Sequence, residues 1–405
     1  MTPCSQTIFF FQRLDIGLVS ISEDGVKLPE IYTTRDLTVL ANGGSYTPSA
    51  VTKINNQDVV DFLNAEAATG NSQDPDARYN TLMAALSAYA NSPTDEQAYF
   101  GNFVNHGGQW PGDLATLEFE NGSTLALHTE ATYNTQLPTV STAKKLWTEA
   151  CVQDTNATSS NSKAKRGTRT VDSPAKRATS STAPTFTAGP YGYPTPYVRD
   201  AYNQIMGYSL DDDTAVMFIP TFEPASDDPA DIDELFADVA TKIVNEAIAK
   251  GQSKIVIDLS SNGGGDINRG YDLFKLFFPS IQPYLGTRFR RTEVTDLLVQ
   301  GLRKVTAANG DSNPFAWEAA VNPEQTESYA TWQDFVDGGV QMGVNSSSLH
   351  ANFNFTLFSE LDKNTSPIRG YGGVPINKTQ PYRAEDIIII TDGICASTCT
   401  VFVDL

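Results

Sequence analysis

Two stretches carry residues whose types and spacing suit nucleophilic chemistry. The first, Ile387 to Leu405, reads IIIITDGICASTCTVFVDL. Its four isoleucines predict a buried strand, Asp392-Gly393 turns the chain, and Ser397 follows among small residues. A strand that ends in a sharp turn and starts a helix holds a serine out for attack on a carbonyl. The second, Lys254 to Asp266, reads KIVIDLSSNGGGD. It predicts a strand buried on both faces, then a turn through Asn262-Gly263-Gly264-Gly265, then a helix. Backbone N–H groups in such a turn have no Cβ in front of them. They are suited to holding an oxyanion, with positive potential added by the helix N-terminus. Two other readings of this turn stay open. One is a phosphate loop, although no Gly-Lys-Ser/Thr follows and GxGxxG is absent; the other is a plain strand–helix turn.

A serine nucleophile needs a base, and the base needs an orienting partner. No Lys, His or Glu follows Ser397. The chain has three histidines, and each reads as a solvated loop residue. His106 lies in NHGGQWPGD, His128 ends a hairpin and His350 lies in a polar loop; His106 and His128 are kept as candidates for the base. The acid runs Asp211-Asp212-Asp213 and Asp227-Asp228 read as solvated or capping. No ligand spacing suggests a metal, and no motif calls for a cofactor. Cys4, Cys151, Cys395 and Cys399 are too few and scattered for a disulfide framework, and read as small packing residues.

The elements that position these residues are legible in outline. Residues 14–40 read as short strands with a turn at Glu23-Asp24-Gly25. VTKINNQDVVDFL, Val51 to Leu63, reads as a strand, an Asn-Asn turn and a helix, because its apolar spacing switches from 2 to 3.6. DPDARYNTLMAALSAYA opens with a helix-start signal and predicts one helix to about Tyr89, with Tyr79, Leu82, Met83 and Leu86 buried. TLEFENGSTLAL predicts a hairpin with Asn121-Gly122 at its tip. Residues 151–190 form a Ser/Thr/Lys-rich flexible linker by composition. Its dibasic pairs Lys165-Arg166 and Lys176-Arg177 admit processing as a sharper reading. From 191 the pattern is α/β: a strand in AVMFIPTF, a helix in DIDELFADVATKIVNEAIAKG, the strand KIVIDL, a helix ended by Pro279, and the strand IIIITD.

Composition excludes whole classes. A net charge of −20 over 405 residues disfavours nucleic acids and anionic membrane surfaces as partners. No run of 18 apolar residues predicts a membrane span. The sequence from Met1 to Asp15 does not read as a signal peptide, and localisation is left unassigned. Six Asn-x-Ser/Thr sites, at Asn121, Asn156, Asn345, Asn354, Asn364 and Asn377, give slight support for secretion.

At this point the residues resemble a family. DLSSNGGG, Asp258 to Gly265, is similar to the DLRxNxGG stretch of the tail-specific, or C-terminal-processing, serine peptidases (S41). TDGICASTCTVF, Thr391 to Phe402, resembles their nucleophile segment, most closely in the fungal branch related to the chlamydial protease-like activity factor. Leu18–Tyr32, Tyr46–Leu63 and Asp74–Asn80 resemble that branch's PDZ-like domain. The resemblance implies an α/β fold, with a ClpP/crotonase-like peptidase domain over 191–405 after a PDZ-like α+β domain over 14–150 and a tail at 1–13. It implies hydrolysis of a peptide or protein substrate through an acyl-enzyme on Ser397. The oxyanion would rest on the N–H groups of Thr398 and of Gly264, or of its neighbour Gly263. The family's histidine base lies upstream of the segment matching Leu18, and its acid lies beyond the serine. No residue here matches either, so the chain reads as a fragment, a misjudged gene model or a degenerate copy. Two alternatives follow: a peptide-binding relative without activity, and an acyl-CoA enzyme of the crotonase type, against which the CAST serine and PDZ-like module argue.

Overall fold

A computed structural model describes residues 9–91, 99–133, 142–146, 186, 188–224, 229–284, 286–301, 315, 317–318, 320–351, 368–371, 374, 376 and 379–405. The expected linker falls almost wholly outside them, as do Cys4, Cys151, Asp227, Asp228 and the sequons at Asn156, Asn354, Asn364 and Asn377. Asn121 and Asn345 are exposed.

The first part of the chain builds a six-stranded sheet in the order β5-β4-β7-β8-β1-β6. The strands are β1 (Phe9–Arg13), β4 (Val51–Ile54), β5 (Gln57–Asp58), β6 (Asn105–Gly107), β7 (Leu114–Phe119) and β8 (Thr124–Tyr133); β2 (Leu18–Ile21) and β3 (Glu30–Thr33) pair separately. Phe9–Arg13, expected as the end of a tail, is therefore a strand between β8 and β6. Residues 34–40, expected among short strands, lie in helix α1 (Thr34–Asn42). The overlooked signal was a capping box: the Thr33 side chain accepts from Asp36 N–H, and the Asp36 carboxylate accepts from Thr33 N–H.

Val51–Leu63 folds as expected. Asn55 and Asn56 turn β4 with positive φ, and Asp58 caps helix α2 (Val59–Ala67). The single helix expected to run to Tyr89 is instead two short ones, α3 (Pro75–Asn80) and α4 (Leu86–Asn91). Between them the amides of Leu82 and Met83 close on Tyr79 O and Asn80 O, i→i+3 bonds that end the helical ladder. Leu82 is buried, while Leu86 is exposed. Ile54, Leu63, Ala115, Leu117 and Leu127 fill the core of this unit.

Helix α5 (Ala143–Leu146) precedes a five-stranded sheet in the order β17-β12-β11-β10-β9. Its strands are β9 (Val198–Arg199), β10 (Met206–Ser209), β11 (Thr214–Phe218), β12 (Lys254–Asp258) and β17 (Ile387–Ile390). β12 runs parallel to both β11 and β17, and helix α6 (Pro229–Ala249) makes the crossover from β11. Helix α7 (Ile267–Phe277) follows the glycine turn and packs beside α6. Smaller pairs join β13 (Gly286–Thr287) to β16 (His350–Ala351) and β14 (Val340–Gln341) to β15 (Val344–Asn345), beside helices α8 (Glu293–Gly301) and α9 (Trp332–Val336). Helix α10 (Thr398–Asp404) lies against α7.

Two burial expectations are corrected. β17 is an edge strand rather than a buried one, with Ile388, Ile389 and Ile390 at 54%, 39% and 44% exposure. On β12 Ile255 and Ile257 are buried, but Val256 and Asp258 on the other face are only partly covered. An apolar run reports the character of a strand, whereas strand order decides which faces are covered. No described helix is long and apolar enough to cross a membrane.

Candidate active site

Ser397 sits at the N-cap of α10 with φ 53° and ψ −122°, a strained left-handed conformation for a non-glycine residue. Its hydroxyl makes no cap bond, and the residue is exposed. Its neighbours are fixed. Thr398 is fully buried, and its Oγ1 donates to Gly265 O at 2.7 Å. Cys399 N–H donates to Ala396 O at 3.1 Å, and Phe402 packs into the core beside Phe222.

The glycine turn meets this elbow directly. Gly264 has φ +101°, and a Cβ placed there would lie 2.6 Å from Ala396 O, 2.7 Å from Ser397 Cβ and 3.0 Å from Thr398 N. Gly270, one turn into α7, faces Thr398 in the same way: a Cβ placed there would lie 2.9 Å from Thr398 Cγ2. Only glycine lets the two loops approach this closely. The expected oxyanion donors are therefore brought together, with one qualification of geometry. The Gly264 N–H already donates to Asn262 Oδ1 at 2.8 Å, while Asn262 Nδ2 donates to Ile219 O at 2.8 Å. Among the described residues the N–H groups of Gly263 and Thr398 show no such bond, and Gly263 is the less buried glycine.

Asp392 joins the two loops from the other side. Its Oδ2 accepts from Ser261 N–H at 2.7 Å and from Ser261 Oγ at 3.2 Å, and its Oδ1 accepts from Ile394 N–H at 3.1 Å. The PDZ-like unit reaches the same corner. Ser87 Oγ is 2.8 Å from Ser261 Oγ, Asn80 Nδ2 donates to Asp392 O at 3.1 Å, and Gly393 packs on Ala77. Nothing in the sequence of α3 or α4 announced this contact.

The cysteines bracketing the serine are not mere packing residues: Cys395 and Cys399 form a disulfide. Four residues apart, they stand 5.3 Å apart at Cα, within bridging range, because Cys395 lies in the turn and Cys399 in the first turn of α10. Composition judged them by number, whereas the elbow brings them face to face.

Two of the three histidines also depart from expectation. His106 is not solvated. Its Nε2 lies 2.9 Å from Phe103 O and 3.2 Å from Glu66 Oε1. Arg13 binds that carboxylate at 2.8 Å. Burial, then the Arg13 guanidinium, push the imidazolium down to about 3, so the ring is neutral. Burial also raises the Glu66 carboxyl, against the pull of Arg13. His350 is buried on β16 with its ring 4.5 Å from that of Phe335 and its Nδ1 2.9 Å from Ser348 O. His128 is exposed on β8. Asp211, Asp212 and Asp213 are exposed in the turn between β10 and β11, where Asp211 Oδ1 accepts from Asp213 N–H at 2.9 Å. No cluster of three or more metal-ligating side chains occurs among the described residues.

A serine with positive φ at a strand–turn–helix elbow thus lies against a glycine turn from the neighbouring parallel strand, with the N-terminal unit at the same corner. Residues 10–138 match the CPAF-like PDZ domain family. The Peptidase S41 family protein phomP1' of Diaporthe leptostromiformis is 33% identical over 99% of this chain and 60% of its own length. The Peptidase S41 family protein ustP of Aspergillus flavus is 33% identical over 81% of this chain and 67% of its own. The chain belongs to the S41 peptidase family. It spans 60% of the length of phomP1'. Among solved structures, mature CPAF complexed with lactacystin is similar at 13% identity and a TM-score of 0.44, covering 98% of this chain and 67% of the other.

Proposed function

We propose that this chain carries the nucleophile half of a serine peptidase site. Ser397 attacks the carbonyl carbon of a peptide bond, giving a tetrahedral oxyanion that collapses to an acyl-enzyme as the amine leaves. Water then releases the acyl group and restores the hydroxyl. The Thr398 N–H and a glycine N–H of the 263–264 turn face the oxyanion. Gly264 serves once its bond to Asn262 Oδ1 opens, and Gly263, whose N–H shows no such bond among the described residues, is the other donor. The observation that supports the reading is the fit of Gly264 against Ala396, Ser397 and Thr398, which brings the glycine turn into direct contact with the serine elbow. The substrate is a peptide or protein, in keeping with the PDZ-like unit and its mode of capturing extended chains. No base is assigned. His106 is engaged by Glu66 and Phe103, and Ser397 Oγ has no hydrogen-bond partner among the described residues.

The test is labelling of the purified chain with a fluorophosphonate. With no base assigned, labelling is expected to be slow; mass analysis would find the adduct on Ser397, and Ser397→Ala is expected to abolish it. A folded protein that binds peptide yet takes no label would refute the reading and leave a peptide-binding role.

A further inference from the structure

We infer that the Cys395–Cys399 disulfide is the brace that positions Ser397, and that breaking it disarms the nucleophile; the inference rests on Ser397 being the nucleophile. Three observations carry it. Ser397 is the central residue of the ring the disulfide closes, and its backbone holds a positive φ that a free chain would relax. It receives no help from its own side chain, which makes no cap bond. The helix that it opens has seven residues, too short to be stable by itself. What remains is anchoring on either side. Cys399 is fully buried in the core of the five-stranded sheet, with Phe402 one turn on. Cys395 is partly buried at the edge of that core, and its carbonyl accepts from Thr400 Oγ1 at 3.2 Å. The bond ties the turn before the serine to an immovable point after it.

Asp392 holds the start of the same turn through Ile394 N–H, but among the described residues nothing polar holds Ala396 and Ser397 themselves except backbone bonds from Cys399 and Val401 N–H. Reduction would proceed by attack of a dithiol's thiolate on the more accessible Cys395 sulfur. The Cys395–Cys399 bond breaks and Cys399 leaves as a thiolate that takes up a proton. The second thiol of the reductant then displaces Cys395 and closes its own disulfide. Two electrons and two protons pass to the protein, which gains two thiols.

The experiment compares oxidised protein, dithiothreitol-reduced protein, reoxidised protein and the double variant Cys395→Ala, Cys399→Ala. It separates the fluorophosphonate inactivation rate constant at saturation from the probe concentration giving half that rate. Reduction is expected to lower the saturating rate at least tenfold, leave the half-saturating concentration unchanged, and be reversed on reoxidation. A general loss of structure would move both quantities. Equal saturating rates in oxidised and reduced protein would overturn the brace while leaving Ser397 as nucleophile. If the oxidised protein takes no label, the nucleophile reading fails instead, and amide exchange decides the brace. Exchange at Cys399 and Val401 is expected to quicken on reduction, and unchanged exchange would sink the proposal. If the double variant fails to fold, the reduced wild type carries the comparison alone.

Discussion

Gly264→Ala tests the contact between the two loops most directly. Its backbone has φ +101°, and an added Cβ would sit 2.6 Å from Ala396 O. That is about 0.7 Å closer than an ordinary C···O approach. The obstacles are backbone atoms and the Ser397 Cβ, so no flexible side chain can swing aside. The conformational cost alone is on the order of 1–2 kcal/mol. Relief of the overlap must push Ala396 to Thr398 away by most of an ångström, a displacement that costs roughly 10²-fold where reacting groups are held in place. Gly251→Ala separates the two effects. Gly251 also has positive φ, +83°, but a Cβ there meets nothing within 4 Å. Gly251→Ala is expected to lower stability by about 1 kcal/mol and leave fluorophosphonate labelling unchanged. Gly264→Ala is expected to fold, to unfold at a lower urea concentration, and to label roughly 10²-fold more slowly. A folded Gly264→Ala protein labelled at the wild-type rate would show that the glycine turn does not abut the nucleophile.

Two further outcomes concern the frame around the site. His106 is held neutral when folded, with a pKa near 3 against 6.5 when unfolded. As pH falls through 6.5, the unfolded chain takes up a proton that the folded chain refuses, so stability falls. The loss from this group is about 2 kcal/mol between pH 7 and pH 5. Urea unfolding of the wild type against His106→Asn at both pH values checks this, and identical pH dependence in the two proteins would contradict it. Arg369 binds Asp272 through Nε and Nη2, both at 2.8 Å, in a buried pair that fastens residues 368–371 to α7. Asp272→Ala strands the guanidinium and is expected to cost roughly 3–5 kcal/mol, read as a shift in the urea midpoint. A loss below 1 kcal/mol would mean the pair is not closed in solution.

What could be read locally was read correctly where one physical signal dominated. The Asn55-Asn56 turn, the Asn121-Gly122 hairpin and the strand, glycine turn and helix from Lys254 to Phe277 each depend on a few neighbouring residues. A local signal with two solutions does not fix the structure. The stretch 75–89 has helical spacing throughout, yet it breaks in two because Leu82 and Met83 must close against the turn and pack under the sheet. Ile387–Ile390 is as apolar as any core strand, but its place at the sheet edge leaves three of four side chains exposed. His106 sits in what reads as a polar loop; only the fold puts Arg13 and Glu66 beside it, with sequence separations of 93 and 40 residues.

The sequence by itself determined the strand–turn–serine segment, the glycine turn and the family resemblance, because motif chemistry resides in consecutive residues. It offered the N–H groups of the glycine turn as donors, though not what presses on Gly264. Tertiary structure alone decided that Ala396, Ser397 and Thr398 are what press on Gly264, that Asp392 clasps Ser261, and that Ser87 and Asn80 of the PDZ-like unit touch the same corner. It alone paired Cys395 with Cys399 across the serine. The physical reason is common to all of these. Hydrogen bonds, overlaps and disulfides act over a few ångströms, and residues 131 or 312 positions apart meet at that range only after the sheet has ordered its strands.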